Sequence, residues 1–261
     1  MNILDQIIAS KKREVQLKKG IIPIQQLEDS VLFERKSISL VHHLSNSLSG
    51  IIAEHKRRSP SKSIINHSNS VEEIVKSYEN GGASGISILT DSHYFGGSLD
   101  DLILARATTQ LPLLRKDFII NEYQIIEAKA FGADVILLIA AVLSRDEIKQ
   151  LSELAKSIQL EVLLEVHNQK EVEKSVMPSL DLIGVNNRNL KTFEVNLNYS
   201  KQLSEHIPSQ FIKISESGIN SAEAVLDLKG YGFQGFLMGE YFMKSENPEN
   251  ELNEFLKKIN L

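Results

Sequence analysis

From residue 50 to residue 240 the chain alternates short apolar runs with longer stretches whose apolar positions recur at helical spacing. Eight runs read as strands: IIAEHK (51–56), GISILT (85–90), LPLLRKDF (111–118), DVILLIA (134–140), LEVLLEVH (160–167), LIGVNNR (182–188), FIKISE (211–216) and GFLMGE (235–240). Their ends run from 56 to 240, a mean step of about 26 residues, which is the length a strand–helix unit needs. GGASGISIL, FGADVILL and YGFQGFLM each set glycine after a helical segment and before a strand, as a helix C-cap requires. Asn220 with Glu223 predicts a capping pair, and Asn247-Pro248 opens the last helix. Ahead of the repeats, Ile3, Leu4, Ile7 and Ile8 predict an amphipathic helix over about residues 2–19, ended by Gly20 and Pro23. Residues 21–48 read as a short helix and irregular connections. The expected fold class is α/β: a (β/α)8 TIM barrel forming one domain over 1–261, of which 1–48 is an N-terminal helical extension. Periodicity alone does not separate a closed barrel from an open doubly wound sheet, but eight even units favour closure.

Composition narrows the class without changing it. With 261 residues, 42% hydrophobic and 24% charged, the chain has the make-up of a soluble globular protein large enough for one barrel. A net charge of -5 argues against a general nucleic-acid binder, so a small anionic substrate would need a local positive site. The absence of cysteine removes disulfides, thiolate metal sites and cysteine catalysis, and fits a reducing compartment. The longest apolar run, Val135 to Leu143, is far short of the roughly 20 residues that span a bilayer. MNILDQIIASKKREVQ lacks the shape of a signal peptide, because Asp5 interrupts the apolar residues and basic residues follow. A cytoplasmic location is the expectation.

Candidate chemistry lies at the strand ends. In a barrel, alternate residues point inward and active sites form at the C-terminal ends of the strands. Glu54 and Lys56 are two apart and share a face, whereas His55 points outward to the helices. Lys116 ends the third strand after Leu113, Leu114 and Arg115, Glu165 stands near the end of the fifth, Asn186 and Arg188 end the sixth, and Glu216 and Ser217 the seventh. Singly, each reads as a strand-end residue reaching solvent or closing a structural salt bridge. Together they place two lysines, several carboxylates, an amide and an arginine at one mouth. Burying such charges costs several kcal/mol apiece unless they are paired, so the set points to general acid–base chemistry. ESGI (216–219) and MGEY (238–241) place small residues after strands seven and eight, where barrels commonly bind phosphate. Lys56 and Ser59 could reach the same anion, with Pro60 fixing their loop. The run His55-Lys56-Arg57-Arg58 starts inside a strand and lacks interleaved aromatics, which disfavours a nucleic-acid patch. His167, His42 and His43 lack the spacing of a zinc site and read as structural or exposed.

A series of segments, in order over nearly the full length, carries a family likeness: ILDQIIASKKREV, IIAEHKRRSPSK, LTDSHYFGGS, LLRKDFIINEYQI, LLEVHN, IGVNNRNL, ISESGI and FLMGEYFM. The chain resembles the indole-3-glycerol phosphate synthase family of tryptophan biosynthesis. The resemblance implies a carboxy-lyase that closes and dehydrates 1-(2-carboxyphenylamino)-1-deoxyribulose 5-phosphate to indole-3-glycerol phosphate, CO2 and water, with neither metal nor organic cofactor. It implies Lys116 as the general acid on the ketone, Glu165 as proton donor or shuttle in dehydration, Glu54 as an assisting base, and Lys56 on the substrate carboxylate or on Glu54. Which of Glu54, Lys56 and Glu165 handles each proton in dehydration stays open. Phe95 and Phe118 would pack on the aromatic ring, Asn186, Arg188 and Glu216 would orient the substrate, and Lys56, Ser59, Ser217, Gly218, Gly239 and Glu240 would hold the phosphate. Departures from the family pattern are small: Asn189 where NNRDL is common, Ser63 where glycine is common, and SVMPSLDLIGV without an Ala-Gly-Ala joint.

Other readings predict different behaviour. A phosphoribosylanthranilate isomerase would share the phosphate loops but uses a cysteine base, which this chain lacks. A Schiff-base aldolase would make Lys116 or Lys56 a nucleophile, and a non-catalytic phosphosugar-binding barrel would bind without turnover. The expected partner is a small phosphorylated molecule, with neither nucleic acid nor membrane, and a monomer is the expected working unit.

Overall fold

The structure is a computed structural model that describes residues 3–60, 62–65, 69–189 and 192–259. Three helices precede the repeats: α1 (Ile3–Ile21), α2 (Ile24–Glu28) and α3 (Leu40–Ser45). Then come β1 (Ile51–His55), α4 (Val71–Asn80), β2 (Gly85–Leu89), α5 (Ser92–Phe95), α6 (Leu99–Thr108), β3 (Leu113–Lys116) and α7 (Glu122–Ala130). Next are β4 (Val135–Ile139), α8 (Arg145–Ser157), β5 (Glu161–Val166), α9 (Gln169–Ser175), β6 (Leu182–Asn186) and α10 (Asn198–Leu203). The chain finishes with β7 (Ile212–Glu216), α11 (Ala222–Gly230), β8 (Gly235–Met238), α12 (Glu240–Met243) and α13 (Pro248–Ile259). The eight parallel strands pair in chain order, and β8 closes on β1 with Ile52 opposite Leu237. This is a closed (β/α)8 barrel.

Both faces of the strands are covered, which is why their sequences are apolar throughout instead of alternating. Ile51, Ala53, Ile86, Ile88, Ile136 and Leu138 pack outward into the layer beneath the helices. The alternate positions Ile52, Leu114, Val135, Leu137, Leu163, Leu182, Ile214 and Leu237 fill the barrel interior. His55 belongs to the outward set and is buried there; burial and the nearby Arg57 push its pKa down to about 4, so it is neutral at physiological pH.

Local signals act mostly where the sequence places them. Gly82, Gly132 and Gly232 end helices with φ of 90°, 89° and 81°, a region that glycine alone enters freely. Asn247 accepts from the backbone N–H of Asn250 as α13 begins. Two expectations are corrected. The cap of α11 is Ser221, whose extended backbone lets its hydroxyl accept from the Ala224 N–H, so the Asn220–Glu223 pair does not form the cap. Helix α1 continues past Gly20 to Ile21; Pro23, which disfavours helical backbone in the residue before it, stops it.

Residues 3–48 serve both ends of the barrel. Leu40 and Leu44 of α3 plug the N-terminal mouth and join the interior core. Glycine makes room for them: a Cβ on Gly85 would lie 2.6 Å from Leu40 Cδ1. Glu161 at the start of β5 receives the α3 N-terminus, accepting from the Leu40 and Val41 N–H groups at 2.8 and 3.1 Å and from Ser39 Oγ. At the opposite end α1 crosses the C-terminal mouth. Among the described residues, no helix is long and apolar enough to cross a membrane.

Candidate active site

A cavity of about 960 Å³ opens at the C-terminal ends of the strands. It is lined by every residue singled out from the sequence as a site candidate: Glu54, Lys56, Ser59, Phe95, Lys116, Phe118, Glu165, Asn186, Arg188, Glu216, Ser217, Gly218, Gly239 and Glu240.

Lys116 occupies the centre. Its Nζ lies 3.3 Å from Glu216 Oε2 and 3.8 Å from Glu165 Oε2, ion contacts without the alignment of a hydrogen bond. Beside it, Lys56 Nζ donates to Glu54 Oε1 at 2.5 Å, and Ser87 Oγ donates to Glu54 Oε2 at 3.3 Å. Burial alone would drive the Lys116 ammonium toward its neutral form, but Glu216, Glu165 and Glu54 reverse this and hold its pKa above the ordinary lysine value. Burial would likewise raise Glu54, yet Lys56 and Lys116 keep it below the usual carboxylate range. Three carboxylates face two ammonium groups, so one carboxylate carries the surplus. Glu216 does so: burial lifts its pKa, Lys116 offsets only part, and Glu165 and Glu54 add repulsion, leaving it at about 7. Neither Glu216 oxygen has a hydrogen-bond partner among the described residues. Gly184 on β6 leaves the space for this carboxylate, since a Cβ there would stand 2.2 Å from Glu216 Oε1.

That imbalance predicts a pH-dependent stability. The folded pKa of about 7 exceeds the ordinary 4.5, so between these values the folded state binds the extra proton. The group's contribution is therefore present below 4.5 and is lost as pH rises through about 7, a difference on the order of 3 kcal/mol. Glu216→Gln is expected to melt above wild type in mildly alkaline buffer and level with it in acid, as thermal unfolding across that range will show. Parallel pH dependences for the two proteins would refute the assignment.

The phosphate-side candidates also converge. Ser217 adopts φ 69°, a left-handed conformation that costs a non-glycine residue roughly 1–2 kcal/mol, and Gly218 follows at φ 79°. A Cβ on Gly218 would lie 2.2 Å from Val195 Cγ1. Asn187, fully buried, fixes this turn by donating to the carbonyls of Glu216 and Ser217 at 3.0 and 3.2 Å. Gly239 caps the short helix α12 and lies against Glu54, whose Oε1 would be 2.8 Å from a Cβ. The Glu240 carboxylate binds Lys244 at 2.6 Å and also Lys62. Burial opposes its ionisation, but these two cations hold its pKa down at about 2. The Ser59 N–H donates to the Lys62 carbonyl at 2.8 Å across a tight turn at the cavity rim. Phe95 and Phe118 face each other with ring centroids 6.0 Å apart.

Several lining groups were not evident from the pattern. Ile3, Leu4 and Ile7 of α1 and Phe193, Val195 and Leu197 after β6 form apolar walls. Lys244 was legible in principle, four residues after Glu240 and hence on the same helical face. Lys11 was not: it is almost fully buried and its Nζ holds Glu14 at 2.7 Å, Asp117 at 3.0 Å and Asp91 at 3.1 Å. It thereby ties α1 to the residue after Lys116 and to the cap of α5, which carries Phe95. Arg57 and Arg58 also serve this rim: Arg57 binds Asp101 and the Gly96 carbonyl, and Arg58 donates to the Ser92 and His93 carbonyls. Arg57 and Arg58 are thus spent on holding the loop after β2 and the start of α6.

The fold is shared widely. The barrel superimposes on 3-hexulose-6-phosphate synthase from Salmonella typhimurium with a TM-score of 0.64 at 12% identity, covering 80% of this chain and 98% of that one. At such identity the likeness concerns the fold alone. Sequence comparison goes further. The chain is 48% identical over 258 residues to the indole-3-glycerol phosphate synthase of Bacteroides thetaiotaomicron, covering 99% of each chain. It is 41% identical to that of Caldanaerobacter subterraneus subsp. tengcongensis, covering 98% of each. The family model described as indole-3-glycerol phosphate synthase matches residues 4–255. Taken with the site geometry, these matches establish that the chain belongs to the indole-3-glycerol phosphate synthase family.

Proposed function

We propose that the indole-3-glycerol phosphate synthase reaction runs at this mouth with Lys116 as the general acid. The substrate is 1-(2-carboxyphenylamino)-1-deoxyribulose 5-phosphate. Its ring carbon bearing the carboxylate attacks the ketone carbon, and a Lys116 Nζ proton passes to the ketone oxygen as the bond forms. Loss of CO2 from that ring carbon restores aromaticity. The new hydroxyl then leaves as water with a proton that Glu165 relays from solvent, while Glu54 accepts the proton lost from the adjoining carbon. Because a carboxylate leaves as neutral CO2, each turnover takes up one proton.

The observation that carries this reading is the position of Lys116, charged and caged by Glu216, Glu165 and Glu54 on the cavity floor. An ammonium so held is available as an acid at neutral pH, and Glu54, kept ionised, suits a base. Phe95 and Phe118 offer faces to the anthranilate ring, with α1 supplying apolar cover. Lys56 answers the substrate carboxylate, and Asn186, Arg188 and Glu216 orient the ribulose hydroxyls. The phosphate rests by the Ser217–Gly218 turn and Gly239–Glu240, with Ser59 across from them, the position many barrels use. Residues 1–48 are part of the same catalytic unit, and a cytoplasmic monomer is its proposed working form.

The purified protein is expected to turn the substrate over with a rise of indole fluorescence. Borohydride added during turnover is expected to leave the protein mass unchanged. A silent wild type would overturn the function, and a trapped lysine adduct would favour the Schiff-base aldolase reading.

A further inference from the structure

Glu165 and His167 are two residues apart at the end of β5 and project to the same side. The imidazole stands between two carboxylates, with Nε2 3.4 Å from Glu165 Oε1 and Nδ1 3.3 Å from Glu171 Oε2 in the first turn of α9. Glu171 is itself fixed, accepting from the His167 backbone N–H at 2.8 Å and from Asn168 Nδ2 at 2.7 Å. The ring is therefore held from one side by an immobilised carboxylate. On its other side Nε2 is buried and makes no aligned hydrogen bond among the described residues. A buried ring nitrogen left so is costly, and the polar atom it faces is the Glu165 oxygen. The second Glu165 oxygen is the one turned to Lys116, 3.8 Å away.

We propose that His167 is a positioning residue for Glu165: anchored by Glu171, it holds one carboxylate oxygen and leaves the other aimed at Lys116 and the cavity. The proposal rests on Glu165 being the proton carrier in dehydration. His167 does not line the cavity, so its influence on substrate passes through Glu165. The charged groups around it are Glu165 on its own strand, Glu171 on α9 and Glu216 on β7, with Lys116 of β3 behind Glu165. Burial disfavours the imidazolium, but the Glu171 hydrogen bond and the charges of Glu165, Glu171 and Glu216 prevail and raise the His167 pKa above its ordinary value. A cation here also offsets the excess negative charge of the three carboxylates. Removing it must raise the proton affinity of Glu165, whichever way that group works in the cycle.

The test compares wild type with His167→Gln and Glu171→Gln by kcat and KM across the neutral pH range. A carbon-13 glutamate titration, with the Glu165 signal assigned through Glu165→Gln, gives a second readout independent of turnover. For His167→Gln we expect kcat to fall roughly tenfold or more with KM nearly unchanged. Its Glu165 titration and the matching kinetic limb should move up by roughly one pH unit. Glu171→Gln should shift both the same way by less, and it serves if the first variant folds poorly. Wild-type kcat and an unmoved Glu165 titration in His167→Gln would overturn the proposal. So would a lowered melting temperature accompanied by an unchanged pH profile, the mark of a merely structural histidine. An inactive wild type defeats the proposed function instead, and the titration then decides this proposal alone.

Discussion

Lys116→Ala is expected to lose at least about a hundredfold in kcat, since a positioned general acid contributes roughly 10²–10⁴. The reason lies in the surroundings of the ammonium. Lys116 is charged because three carboxylates outweigh its burial, and its side chain still reaches the cavity. Alanine removes both the proton and the positive charge that meets the developing alkoxide. It also leaves Glu216 and Glu165 without their shared cation, so Glu216 binds its proton more tightly still. Lys116→Arg should not restore activity, because a guanidinium does not deprotonate and its planar fork does not fit a point-charge site. Single-turnover fluorescence with saturating substrate measures the loss directly, and a melting curve for each variant confirms that the barrel is intact. Full activity in Lys116→Ala would remove this residue from the mechanism.

Asp134→Ala is expected to destabilise the protein by about 3–5 kcal/mol while leaving the kcat of the folded protein close to wild type. Asp134 is completely buried where β4 begins, at the barrel end opposite the active site. Its Oδ1 accepts from Arg35 Nη2 and the Ile38 N–H, both at 2.7 Å. Its Oδ2 accepts from Arg106 Nη1 at 2.9 Å and from the Leu113 N–H at 2.8 Å. One carboxylate thus joins the extension, α6 and β3. Without it, a buried guanidinium loses its counter-charge and two backbone donors lose their acceptor. For a chain of this size the melting temperature should drop by roughly 10 °C. Urea unfolding of wild type and variant gives the free-energy difference, and a loss below about 1 kcal/mol would show that the four donors find other partners. On these predictions Lys116 and Asp134 divide the barrel, with the proposed chemistry at the C-terminal face and stability at the other.

How far each feature could be read from the sequence follows from the distance over which its cause acts. Glu54 and Lys56 were placed on one inward face by the two-residue strand period, and the hydrogen bond between them follows from that period. Gly82, Gly132 and Gly232 mark helix ends because the demand for positive φ is local. The cap of α11 fell one residue away, at Ser221, because both neighbours have side chains able to cap and the backbone angle decides between them. Lys11 looked like one more charge on an amphipathic helix; its burial depends on Asp91 and Asp117, which lie on other units. His167 was read as structural or exposed, and the structure sets its ring between Glu165 and Glu171. Gly184 drew no attention, since the atom that needs its empty space belongs to Glu216 on the next strand.

By itself, then, the sequence determined the repeating strand–helix units, the closed barrel they favour, the end of it at which the candidate site residues gather, and the family. These depend on periods of two and 3.6 residues, on spacing, and on motifs read within a few residues of one another. Only the tertiary structure decided that α3 plugs one mouth while α1 covers the other, that Lys116 rather than Lys56 is the ion shared by Glu165 and Glu216, and that Glu216 is the carboxylate left to titrate near neutrality. Desolvation and charge pairing depend on distances across the closed barrel, and those exist only after strands far apart in the chain have been brought together.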